Sequence, residues 1–171
     1  MKRMWLIPGI ILLGLNSCIE TEVVSPIPAI TFKKLEAYMA YDSLGNYAPK
    51  ADLEFDFIDG DADIGIYEDE VDTVAWNENN YNVFLRPYQK IDTTYIPIEL
   101  DHSKPPPYYT IWHDDKLDRV GQNKTIRGTI TLTIPDLPPY DTIRYDFYIT
   151  DRAGHNSNTE STTDLGTNLE K

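Results

Sequence analysis

The chemistry available to this chain is concentrated in its carboxylates. Ten of its 28 acidic residues fall between Asp52 and Asp72. Within that run, Asp59-Gly60-Asp61-Ala62-Asp63-Ile64-Gly65 places side-chain oxygens at i, i+2 and i+4. Calcium takes about six to eight oxygen ligands, and closely spaced carboxylates supply several of them from one turn. Glu70 stands eleven residues after Asp59, the separation of the first and last ligands in an EF-hand loop. The match stops there: Ile64 occupies the sixth position, where that loop turns on glycine, and no helical pattern flanks it. Two readings stay open. One is a charged turn leaving a strand at Leu53–Phe57, with Ile64 and Ile66 returning to the core; the frequency of accidental motif matches favours it. The other is an irregular calcium site formed by Asp59, Asp61, Asp63 and Glu70, joined by Asp151 and Asn156 if the segment Thr150–Asn156 folds to the same end.

Other chemistry is thinner. His102, His113 and His155 each fall in a loop or at a strand end, and none has the i, i+4 partner of a zinc protease. His113-Asp114-Asp115 reads as a solvated loop, and no serine sits in a Gly-x-Ser-x-Gly turn. Carboxylate pairs abound in so acidic a chain and do not single out a glycosidase. The expectation is a protein that is not an enzyme. Trp76 and Trp112 could stack on sugar rings if exposed, while ordinary core packing of aromatics is the simpler reading. A formal charge of −13 argues against a nucleic-acid partner, since phosphate binding needs a basic surface. One cysteine in 171 residues excludes an internal disulfide.

These residues must be positioned by strands. Leu53, Phe55 and Phe57 alternate with Asp52, Glu54 and Asp56. Ile126, Gly128, Ile130, Leu132 and Ile134 alternate with polar residues, as do Ile143, Tyr145, Phe147 and Ile149. A period of two with one apolar face marks a sheet packed on one side. Weaker strand patterns occur at 29–38, 81–90, 93–100, 108–112 and 157–163, separated by turn formers such as Ser43-Leu44-Gly45-Asn46 and Lys104-Pro105-Pro106-Pro107. A short helix over 33–39 is a weaker alternative to the first of these, and Asp114–Gln122 has room for one helical turn. Seven or eight short strands predict an all-β, antiparallel sandwich over residues 29–165, with a tail at 166–171.

The N-terminus reads as an address. Met1-Lys2-Arg3 precedes a 12-residue apolar run, Met4 to Leu15, too short to span a bilayer as a helix. Leu15-Asn16-Ser17-Cys18 resembles the lipobox of bacterial lipoproteins. The resemblance implies a signal peptide at 1–17 and an acylated Cys18 as the mature N-terminus. It implies a membrane partner through that lipid, with the outer membrane favoured and its face open. Residues 18–28, rich in proline and without helical period, read as a tether.

The stretches Phe57-Ile58-Asp59-Gly60-Asp61-Ala62-Asp63-Ile64-Gly65 and Asp141-Thr142-Ile143-Arg144-Tyr145-Asp146-Phe147-Tyr148-Ile149-Thr150-Asp151-Arg152-Ala153-Gly154-His155-Asn156-Ser157 are similar to segments of small Bacteroidota lipoproteins of unestablished function. That resemblance implies an immunoglobulin-like fold in the cell envelope and names no ligand. The functional expectation is a non-catalytic binding or accessory module with an envelope protein or a glycan as partner. The alternatives are a carbohydrate-binding accessory subunit and a calcium-stabilised adhesive module.

Overall fold

A computed structural model of the chain describes residues 23–42, 44–71, 78–99, 107–115 and 124–169. Cys18, Trp76, His102 and most of the Asp114–Gln122 segment lie outside these residues. The described residues form nine strands and two single-turn 3-10 segments, Glu68–Glu70 and Glu78–Asn80. The strands are β1 (Ala29–Tyr41), β2 (Tyr47–Asp59), β3 (Val83–Ile91), β4 (Thr94–Pro97), β5 (Tyr108–Tyr109), β6 (Ile126–Ile134), β7 (Thr142–Ile149), β8 (Glu160–Ser161) and β9 (Leu165–Gly166).

They make two antiparallel sheets, as the alternation predicts. One runs β1-β2-β6; the other runs β4-β3-β7-β8, with β5 also pairing β3 and β9 also pairing β7. The three firmest sequence patterns are the interior strands β2 and β7 and the edge strand β6. On β2 and β7 the alternation becomes burial: Leu53 and Phe55 face in from one sheet, and Ile143, Tyr145, Phe147 and Ile149 from the other. Phe147 joins the layers, its ring 5.2 Å from that of Phe55 on β2 and 6.5 Å from that of Phe32 on β1.

The outer face of the first sheet accounts for part of the acidic run. Asp52, Glu54 and Asp56 point away from the core. Thr133 and Tyr38 donate hydroxyl hydrogen bonds to Asp52, Thr129 donates to Asp56, and Lys33 pairs with Glu54 at 2.9 Å. These are cross-strand contacts of the kind that reinforce a sheet by some tenths of a kcal/mol each (~0.2–1).

Segment 33–39 is strand and not helix. A bulge at Phe32/Lys34 inserts one residue into β1, so Ile30 and Phe32 face inward before it and Leu35 and Ala37 after it. The inserted residue shifts the two-residue period by one and hides the strand from a period count. Beyond the sandwich, β1 and β2 continue as a two-stranded arm. Their pairing runs to Tyr41↔Tyr47, whereas β6 pairs with β2 only over Ala51–Asp59. The arm's turn is tied by Asp42, whose carboxylate accepts the backbone N–H groups of Leu44 and Asn46, both at 2.8 Å.

Candidate functional site

The site begins where β2 ends. Leu53, Phe55 and Phe57 occupy its inward phase, and the next position in that phase is Asp59, which is 0% exposed. The strand pattern therefore drives a carboxylate toward the core. Asp59 Oδ2 accepts the backbone N–H of Asp63 at 2.9 Å, closing the loop upon itself. Ala62, between Asp61 and Asp63, adopts a φ of 61°, a left-handed conformation that is strained for any residue with a β-carbon. In this loop one carboxylate oxygen from each of Asp59, Asp61 and Asp63 lies within 4.8 Å of the others.

The loop is held from a second side by the turn after β7. Asp63 accepts the backbone N–H of Ala153 on Oδ2 at 3.0 Å, and that of Arg152 on its carbonyl at 3.2 Å. The two segments that sequence placed at one end of the sandwich do meet. Asp59 Oδ1, Asp61 Oδ1 and Asp63 Oδ1 are each buried without a hydrogen-bond donor. Burial and the neighbouring charges of Asp61 and Asp63 push the Asp59 carboxyl up to about 6; burial, with Asp151 and Asp61 nearby, also raises that of Asp63. The Arg152 guanidinium, whose charge opposes that rise at Asp63, lies over the Tyr67 ring at 4.5 Å.

The other expected ligands are used elsewhere. Asp151 is buried beside Asp63, but its carboxylate accepts the backbone N–H of His155 at 2.7 Å and meets His155 Nδ1 at 2.9 Å. Glu70 reaches back to accept the Tyr67 N–H at 3.2 Å and caps the short 3-10 turn. Asn156 accepts from the Thr150 hydroxyl at 2.7 Å. Only Asp59, Asp61 and Asp63 of the proposed calcium set form one cluster. Segment 18–28 contributes something that residue types alone did not signal. A β-carbon on Gly60 would lie 2.3 Å from the Ser25 carbonyl oxygen and 2.6 Å from that of Val24. The tether is thus seated on the acidic loop from Val24 onward, and Pro28 is fully buried.

Beside the loop opens a cavity of about 630 Å³, whose lining includes Gly65, Tyr81, Phe84, Tyr148, Arg152 and Asn156. Phe84 stacks on Tyr148 at 5.0 Å and meets Tyr108 edge-on at 4.9 Å. Trp112 is 51% exposed, on a segment bridged to Ile66 of the cavity wall. His113 departs from the solvated loop expected for it: its ring is buried against Tyr67 at 4.2 Å. Gly65 makes that packing possible. Its φ is +97°, and a β-carbon there would stand 2.9 Å from His113 Cα. Gly65→Ala should therefore destabilise the domain by about 2–3 kcal/mol. Urea unfolding checks this, and a loss under about 0.5 kcal/mol would show that the loop re-forms without strain.

Comparison with protein-family models, with curated proteins and with solved structures found no match.

Proposed function

We propose that this chain is an exported lipoprotein, acylated at Cys18, whose immunoglobulin-like sandwich acts as a non-catalytic binding module at the cell envelope. The immunoglobulin-like assignment is supported by strand order: β1, β2 and β6 stand as strands A, B and E do, and β3, β7 and β8 as C, F and G.

The observation that carries the binding role is the polarity of the sandwich. The chain enters at the end where Val24 and Ser25 lie against Gly60. The β1–β2 arm projects from the other end and exposes Tyr41 (70%), Leu44 (85%) and Tyr47 (52%) at its tip, the two tyrosine rings 5.0 Å apart. A lipid at Cys18 would hold the acidic end toward the membrane and present this apolar tip away from it. Tyrosine and other large apolar groups, displayed together, are typical anchors of a protein partner.

The test is photocrosslinking in intact cells, with the photoreactive residue at position 47 or, as control, at exposed Thr131. A discrete adduct from position 47, lost with Leu44→Asp and absent from position 131, is expected. Equal labelling from both positions, or none from 47, retires the tip as the binding surface.

A carbohydrate-binding accessory role is the second reading. What favours it is exposed Trp112 beside a cavity with aromatic and polar walls. Calorimetry with envelope glycans separates the two readings, since a glycan site at Trp112 would lose its heat in Trp112→Ala and ignore Leu44→Asp.

A further inference from the structure

We propose that Asp59, Asp61 and Asp63 form a binding site for one divalent cation of the calcium class, at the point where the tether, the loop after β2 and the turn after β7 come together. This inference stands apart from the binding role above. Burying one unpaired carboxylate is costly, and three converging ones require a compensating charge. Asp59 is wholly buried, and its Oδ1 has no donor; Asp61 Oδ1 and Asp63 Oδ1 share that condition.

Ordinary compensation is partial. The second oxygen of both Asp59 and Asp63 accepts a backbone N–H, from Asp63 and from Ala153. Those bonds fix each carboxylate and leave one oxygen over. Among the described residues no salt bridge reaches the three aspartates; the Arg152 charge acts on Asp63 from a distance, its guanidinium packed on Tyr67.

The geometry selects the cation. Two oxygens bound to one calcium at about 2.3–2.6 Å each can be no more than about 5 Å apart. The three aspartates each offer an oxygen within 4.8 Å of the others. The donor set is oxygen only, with no imidazole or thiolate in the cluster, so zinc and copper are disfavoured. Three protein oxygens are half a calcium shell, and water would complete it. The ion would neutralise charge in the loop that Gly60 holds against Val24 and Ser25 and that Asp63 holds against Arg152 and Ala153. Its binding should therefore stiffen the junction between tether and sandwich.

The experiment uses the full chain purified in detergent, stripped with chelator and titrated with calcium chloride in a calorimeter. One binding event per chain is expected, with a Kd of about 10⁻⁴–10⁻³ M, the range of exported calcium modules. The melting temperature should rise by several degrees at 10 mM calcium, roughly thirty times the middle of that range. Asp61→Asn/Asp63→Asn, both partly exposed and so the safer pair to change, should keep the strand signature in circular dichroism and lose heat and thermal shift together. Asp59→Asn, in the buried position, should lose the calcium response while melting no lower than the metal-free parent, because it removes a buried charge. No heat and no thermal shift in the parent at 10 mM calcium overturns the site, and so does an unchanged calcium response in the double variant.

Discussion

Phe147→Ala is expected to remove about 3–5 kcal/mol of unfolding free energy, the usual loss when a buried phenylalanine is truncated. The reason is its place between the layers. Its ring meets Phe55 of β2 and Phe32 of β1, so one side chain of the second sheet packs on two strands of the first. Truncation would leave a void lined by Phe32, Phe55 and their neighbours, which rigid strands cannot close. A domain of this size holds on the order of 5–15 kcal/mol in total, so the variant should sit near the edge of stability at 37 °C. Thr131→Ala, on the exposed outer face of β6, should change stability by less than about 0.5 kcal/mol. Urea midpoints of the three proteins measure the contrast. Equal midpoints for Phe147→Ala and the parent would mean that the two sheets are not held by this contact.

The second large effect concerns location. If Cys18 carries the acyl chains, Cys18→Ala placed behind a general secretory leader that is removed without acylation should move almost entirely from the membrane fraction to the soluble fraction. Each buried methylene contributes about 0.8 kcal/mol, and one acyl chain alone gives only reversible attachment. Losing two or more chains removes the attachment they supply; among the described residues no helix is long and apolar enough to cross a membrane. Behind the native leader, Cys18→Ala should instead accumulate uncut, with the apolar run Met4–Leu15 still attached, because the cleaved bond precedes the modified residue. Immunoblots of fractionated cells report both changes. Persistence of the leader-exchanged Cys18→Ala protein in the membrane fraction after a salt and carbonate wash would mean that another segment holds the chain.

How far the sequence carried the fold depends on the strand. β2 and β7 were legible because nothing interrupts their period, and inward side chains became buried side chains. β1 was harder to read because the bulge at Lys33 reverses its facing residues midway. β8 and β9 have two residues each, too short for any period; Leu165 is inside the core and Gly166 pairs with Thr142, so the sheet runs one residue past the expected boundary.

The candidate site was half legible. Spacing pointed to Asp59, Asp61 and Asp63, and the phase of β2 already placed Asp59 on the core side, a signal stronger than the motif count. Glu70 and Asp151 carried the right chemistry, but local backbone N–H groups of Tyr67 and His155 claim their oxygens. Short side chains near turns are readily captured in this way, and residue type alone does not forecast it. The seating of Val24 and Ser25 against Gly60 was invisible, because a missing β-carbon says where something can approach and not what does.

The most direct test of the tethered, exported β-module is the intact mass of the native protein extracted from cell membranes. A chain starting at Cys18 and carrying the added mass of diacylglycerol, with or without a further N-acyl group, is the expected species. A chain that still begins at Met1, with a free thiol at Cys18 and recovered from the cytoplasm, contradicts it.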